Sequence, residues 1–403
     1  MSLASLPHPN AIQHANVHLP RGTLTLTYAT TSDYQLADLL GFAERINPKR
    51  AFLFVSKVLG RHIPVAPAKM RRAFVALAAQ IPDDLPTPIV VFGMAETAVG
   101  LAAGVHSALQ ARYPDAILLN STRHAQDAPL FAIFSEDHSH ASRHLVYQSR
   151  DPDRQAEVLA AKTLIVVDDE ASTGQTCQNV VHALRQAGMH DLSAVHLATL
   201  VDWSLAQPTT TPNDSLDGLP LIRHHLLAGS WRWNAAPNPP PLAMPRVDST
   251  AAGSQPILPT GQWGRTPTRD SQTGLATLWA NLSQQVNLAN WQGKNVLVLG
   301  SNEFVWLPFL LAERLAHQLA DTTVKFGALT RSPIAVSTPT QPTDIHHVLS
   351  FADNYGLGMT NFVYNVTPSD WHVIVLCLET PPDSVDTLWR SLDNVVIVSP
   401  AQP

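Results

Sequence analysis

Apolar residues fall in short, nearly unbroken runs, and each run ends in a small or polar tip. Ile89–Phe92, Leu164–Val167, Ala194–Val201, Asn295–Leu299, Thr323–Leu329, His372–Leu378 and Val395–Val398 are of this kind. Such runs read as strands buried on both faces, the pattern of a parallel sheet. Segments with a helical period lie between them. These are Ala98–Leu109, Cys177–Ala187 with Val180, Val181 and Leu184 on one side, Phe304–Leu319 with Pro308 early, where proline is best tolerated, and Asp383–Leu392. Nearer the start the pattern alternates. Val17–Leu19 and Thr23–Tyr28 flank Pro20-Arg21-Gly22 and predict a hairpin, and Gln35–Ile46 predicts a helix. Alternating strands and helices predict an α/β fold with a Rossmann-like parallel sheet followed by a second α/β domain.

A chain of 403 residues is expected to form two domains. Residues 204–290 turn rich in Pro, Thr and Ser. Leu219–Leu227 and Gly229–Trp233 inside them read as strands finishing the first domain, and Ala276–Val286 as a short helix before the second. The expected division is 16–235, a linker at 236–290, and 291–403. A net charge of −6 argues against a nucleic-acid binder. Cys177 and Cys377 are the only cysteines, and both sit in or beside apolar runs, as buried free thiols do. No leader-like start and no apolar run of membrane-spanning length stands out, so the expectation is a cytoplasmic protein without a membrane partner.

Leu164–Thr176, LIVVDDEASTGQT, carries the densest chemistry. A buried strand runs into Asp168 and Asp169, then into Ala171, Ser172, Thr173, Gly174, Gln175 and Thr176, and then into a helix. A loop of Ser, Thr and Gly opening a helix aims backbone N–H groups and hydroxyls at one phosphate. Gly174 lets the backbone come close. The two carboxylates repel phosphate and are acceptors for a pair of sugar hydroxyls or a cation beside them. A ribose 5-phosphate meets both demands.

This stretch resembles the loop of type I phosphoribosyltransferases that binds 5-phosphoribosyl 1-pyrophosphate (PRPP). The resemblance implies that Asp168 and Asp169 hold the ribose hydroxyls, that residues 171–176 wrap the 5-phosphate, and that Mg²⁺ accompanies PRPP. The opening strand is also similar to that of response-regulator receiver domains. A receiver needs an isolated Asp after a later apolar run, and Asp214 and Asp217 follow none.

Other stretches take meaning from the same resemblance. Gly93, Met94, Ala95, Glu96 and Thr97 follow a buried strand and open a helix, as the family's pyrophosphate loop does. If the two strands are neighbours, the two loops lie side by side. Residues 121–148 occupy the place of the family's mobile lid, with Arg123 and His124 as catalytic candidates and Glu136, Asp137, His138 and His140 on the lid itself. Such a lid excludes water from the reacting centre. The cluster EDHSHASRH also has metal-ligand residue types, which leaves a metal-dependent hydrolase as another reading. Lys49, Arg50 and Lys57 are candidates for the acceptor site, with a solvated cationic edge as the ordinary alternative.

The blocks FAERINPKRAFLFVSKVLGRHIPV, GMAETAVGLAAGVH, STRH, EDHSHASRH and VVDDEASTGQT, with Thr330-Arg331-Ser332-Pro333 further on, resemble orotate-phosphoribosyltransferase-like proteins carrying a TRSP domain, found in tellurite-resistance and stress gene clusters. That implies a pentosyltransferase moving ribose 5-phosphate to a base-like acceptor in the making of a nucleoside-like stress metabolite, and a homodimer. The different-class alternative is a PRPP- or nucleotide-sensing regulator without catalysis. In the second domain, strand ends are expected to gather Gly300, Glu303, Thr330, Arg331 and Ser332, with Tyr355, Tyr364, Asn365 and Glu379 nearby, around a phosphorylated or carboxylate ligand. A purely structural cap is the alternative.

Overall fold

The computed structural model describes residues 12–31, 33–47, 50–135, 143–205, 214–247, 263–340 and 342–400. The first domain begins with the hairpin β1 (Gln13–Leu19) and β2 (Gly22–Thr30), whose antiparallel register closes at Leu19 opposite Gly22. Then follow α1 (Leu36–Leu39), β3 (Leu40–Glu44), β4 (Phe52–Ser56), α2 (Pro67–Ala78), β5 (Ile89–Gly93), α3 (Val99–Leu109), β6 (Ile117–Asn120), β7 (Leu130–Ser135), β8 (Arg143–Tyr147), α4 (Pro152–Leu159), β9 (Thr163–Ala171), α5 (Gln175–Gln186), β10 (Ala194–Asp202), β11 (Asp214–Leu216) and β12 (Leu219–Ala235). The main sheet has the order β1-β2-β12-β10-β9-β5-β6, with β11 on β12. The five strands from β12 to β6 run parallel, and β1 and β2 extend the sheet antiparallel.

The second domain contains α6 (Leu275–Gln285), β13 (Asn295–Gly300), α7 (Trp306–Gln318), β14 (Thr323–Ala328), the hairpin β15 (Val348–Ala352) and β16 (Thr360–Tyr364), β17 (Val373–Cys377), α8 (Thr387–Arg390) and β18 (Val395–Val398). Its sheet is parallel, in the order β14-β13-β17-β18. One apolar core runs through both domains, with Phe74 and Leu101 of the first in the same cluster as Phe309 and Phe326 of the second. No described helix is long and apolar enough to cross a membrane.

Three expectations change. The helix over Gln35–Ile46 shrinks to α1, and the chain turns extended at Leu40 to pair with β4 from Leu40 opposite Ser56 to Glu44 opposite Phe52. Gly41 explains this. A Cβ there would lie 2.8 Å from the Asp344 carboxylate, which accepts the Phe42 N–H at 2.8 Å, so tertiary contact overrides a helical period. The helix Asp383–Leu392 reduces to α8 and a preceding turn of 3-10 helix, Pro382–Ser384. Within the expected linker, residues 263–270 pack along β6: Leu118 and Thr268 exchange two backbone hydrogen bonds, and Gly264 accepts from Asn120.

Candidate active site

β9 lies between β10 and β5, so its backbone is paired on both edges as far as Val167. Its side chains from Leu164 to Val167 are fully buried, and the acids beyond them emerge where the sheet ends. Gly174 takes φ +76° and caps the start of α5, a helix with no acid in its first turn. A Cβ on Gly174 would stand 3.5 Å from Arg223 Nη2, so this guanidinium flanks the loop. Arg223 donates to Asp202 at 3.1 Å and to Ser204 at 2.9 Å. Inside the loop lies a small hollow of about 40 Å³, lined by Asp168, Ser172, Thr173, Gly174 and Thr176 among others. Hydroxyls, a helix start and a nearby guanidinium together suit a phosphate.

The three acids have separate fates. Asp168 accepts the Asp169 N–H at 2.9 Å. Burial, and then the neighbouring Glu170 charge, push Asp169 up to about 6. Glu170 takes a bidentate pair of hydrogen bonds from Arg50, at 2.7 and 2.9 Å. Arg50 lies over the Phe52 and Phe54 rings, at 5.0 and 4.9 Å. Burial, and then Arg50, lower Arg45 to about 10. Arg45, Arg50, Trp203 and Trp231 line the same cleft of about 680 Å³ as Asp168 and Asp169.

The cleft's other end is the 93–97 loop. Gly93 pairs with Val167, and Met94 N–H donates to Val167 O, so the two loops are direct neighbours. A Cβ on Gly93 would sit 2.0 Å from Asn120 Oδ1, which is why glycine is needed there. Ala95 N–H donates to Ser121 Oγ at 3.0 Å. Glu96 pairs with Arg331 at 3.0 Å and with Arg61 at 3.4 Å. Arg61, buried, also donates to the carbonyls of Glu96, Asn302 and Leu329. The loop is thus held from behind by the second domain.

Arg123 lines the cleft, and its backbone N–H donates to Glu303 at 2.6 Å. His124 turns instead into the domain interface, stacked 4.4 Å from the Tyr355 ring, with neither ring nitrogen hydrogen-bonded. Burial lowers its basicity. Gly300, Glu303, Thr330, Arg331 and Ser332 gather at the ends of β13 and β14, where Glu303 meets Thr122, the Arg123 N–H and Arg265, and Arg331 meets Glu96 and the Met359 sulfur. Burial works against the Glu303 charge, yet His124, Arg265 and hydrogen bonds from Thr122 and Arg123 hold it down to about 2. Arg265 also bridges to Glu379, which accepts from Tyr355 at 2.8 Å.

Lys57 does not join Arg50; it lines a different cleft, while Lys49, Glu136, Asp137, His138 and His140 lie outside the described residues. Arg45, Trp203, Trp231 and Arg223 were not singled out from the sequence. Trp203, just beyond the end of β10, carried a readable signal, since strand ends are where such folds place ligands. Among the described residues no three or more His, Cys, Asp or Glu side chains are grouped to hold a metal. Mg²⁺ arriving with a pyrophosphate asks for less, one or two carboxylates and water. Asp168 and Asp169 fit that demand, since both carboxylates line the cleft.

Residues 39–220 match the family model described as phosphoribosyl transferase, and residues 259–394 match the one described as TRSP domain C terminus to PRTase_2. Similar solved structures include an adenine phosphoribosyltransferase from Rhodothermus marinus, 15% identical, covering 48% of this chain and 96% of that one with a TM-score of 0.29. Another is the Trypanosoma brucei adenine enzyme in complex with AMP, pyrophosphate and ribose-5-phosphate, 12% identical, covering 49% and 82% with a TM-score of 0.32. A hypoxanthine phosphoribosyltransferase from Staphylococcus aureus is 14% identical, covering 41% and 77% with a TM-score of 0.24. No curated protein matches the chain. None of these matches singles out an orotate-type subfamily. The chain therefore carries a phosphoribosyl transferase domain over residues 39–220, followed by a TRSP domain over residues 259–394.

Proposed function

We propose that the protein transfers ribose 5-phosphate from PRPP to a nitrogenous, base-like acceptor and releases pyrophosphate. The observation that carries this reading is the adjacency of two helix-opening loops on neighbouring parallel strands, both lining one cleft together with Arg45, Arg50, Trp203 and Trp231. Residues 172–176 seat the 5-phosphate, and Asp168 and Asp169 accept from the ribose hydroxyls. The 93–97 loop takes the pyrophosphate, with Arg123 beside it. Trp203 and Trp231 offer flat faces for the acceptor ring.

The acceptor nitrogen attacks C1 of the ribose while the C1–oxygen bond breaks, pyrophosphate leaves with that electron pair, and the nitrogen's proton is lost to water or to the departing pyrophosphate. Positive charge gathers at C1 near the two aspartates, and negative charge gathers on the leaving group near backbone N–H groups and Arg123. The chain's contribution is therefore positioning and fixed electrostatics. Mg²⁺ carried with PRPP would neutralise the pyrophosphate. The product would be a nucleoside 5-phosphate-like metabolite, in keeping with the stress-cluster resemblance. A panel of nucleobases incubated with PRPP and Mg²⁺, read by pyrophosphate release, tests this. Release with at least one base is expected; PRPP binding without release across the panel would turn the reading toward a sensor.

A further inference from the structure

A second cleft, of about 590 Å³, opens between the two domains and shares no lining residue with the first. The chain has six lysines, and three of them, Lys57, Lys69 and Lys325, line this one place from β4's end, α2 and β14. All three are half-buried. The cleft's one acid, Asp344, is engaged: it lies 3.7 Å from Lys57 and accepts the Phe42 N–H. Among the described residues neither Lys69 nor Lys325 meets a carboxylate. α2 starts here with Pro67 in its first turn, no capping side chain and no acid, so its positive end is also uncompensated. Nδ1 of His347, another lining residue, is buried without a partner. Trp371, half-buried, also lines the cleft.

A protein of net charge −6 that concentrates half its lysines in a concave site has built an anion site there. The volume is within the range of about 300 to 1,000 Å³ usual for small-ligand pockets and well beyond one phosphate. We infer that this interdomain cleft binds a nucleotide, its phosphates on Lys69, Lys325 and the start of α2 and its ring against Trp371. The site stands whether or not the transfer reaction is as proposed above.

Calorimetric titration of the full chain tests it, with ATP, UTP and inorganic triphosphate as probes. The background is Asp168→Asn with Asp169→Asn, which disables the first cleft. ATP or UTP is expected to bind in that background, more tightly than triphosphate, and to weaken as salt rises from about 0.05 to 0.5 M. Adding Lys69→Glu and Lys325→Glu is expected to weaken binding by about tenfold or more. Trp371→Ala should erase the advantage of nucleotide over triphosphate. In an otherwise native chain the lysine pair should leave PRPP affinity unchanged. If the charge reversals unfold the protein, Lys69→Gln with Lys325→Gln gives the same comparison. No nucleotide binding in the aspartate background, or binding indifferent to both lysine pairs, overturns the inference. Unchanged PRPP affinity in the aspartate variant would instead count against the transferase reading, and the lysine comparison would still decide this site.

Discussion

At the ends of β9 and β13, an apolar strand of a parallel sheet delivers carboxylates into a loop, but the two sets keep different company. Asp168 and Asp169 line an open cleft beside the Arg50–Glu170 pair, and burial and then Glu170 push Asp169 up to about 6. Glu303 meets Arg265, Thr122 and the Arg123 N–H, and falls to about 2. A carboxylate that lines an open cleft is available to a ligand, whereas one saturated by its own protein acts as mortar. The similar topology of the two sheets thus says less about function than the pairing at their tips.

The comparison breaks most visibly at Arg265. Its replacement by alanine leaves Glu303 and Glu379 buried without their cation, and should cost about 3–5 kcal/mol of stability in chemical denaturation. A loss near zero would mean the second-domain carboxylates are not held as described.

Next in size is Asp168→Asn with Asp169→Asn, expected to weaken PRPP binding about a hundredfold, since hydrogen bonds to charged groups are worth about 1.5–3 kcal/mol each. Calorimetry of the Mg²⁺–PRPP complex reads this directly.

The pH dependence separates the two regions again. Asp169 is ionised above about 6 and takes up a proton below it, so its contribution to PRPP affinity should fade as pH drops from 7.5 to 5. Asp169→Asn should flatten that part of the profile, leaving the ligand's own titration. The Glu303 side should be silent over the same range, because its value lies far lower.

Arg331→Gln loosens the Glu96 loop from the second domain. We expect about a five- to tenfold loss in pyrophosphate affinity, the effect of about 1–1.5 kcal/mol, with the melting temperature little changed. The smallest effect concerns stability. The folded value of Asp169 lies above its unfolded one, so its charge costs stability above about pH 6, and the cost disappears as pH falls toward 4. Asp169→Asn should therefore raise the melting temperature by about 2–4 °C at pH 7.5 and by nothing at pH 4.

Much of the first cleft was legible because its signals are local. A buried run, an acidic tip and a Ser/Thr/Gly loop sit within the thirteen residues from Leu164 to Thr176. The neighbouring 93–97 loop could be read for the same reason, although only the sheet order made the two adjacent. What escaped was set by distant partners. Gly41 is extended because Asp344 lies against it. Residues 263–270 look like linker by composition, yet they carry Arg265, whose two carboxylates come from loops after β13 and β17. The β15–β16 hairpin has no strong alternation, and its place is fixed partly by Thr330 bonding to Phe362 across the domain. Trp231 and Arg223 became site residues only when β12 was seen to be one continuous strand.

That strand has a consequence of its own. β12 pairs with β10 along its first half and with β2 along its second, without a break over seventeen residues. Arg223, beside the Gly174 loop, and Trp231, which lines the cleft, are therefore two marks on one rigid scale. Inserting a single residue between them would turn the tryptophan to the other side of the sheet, because side chains alternate along a strand. β12 works as a calliper: it fixes the span between the Gly174 loop and Trp231, and so the length of molecule that can touch both at once.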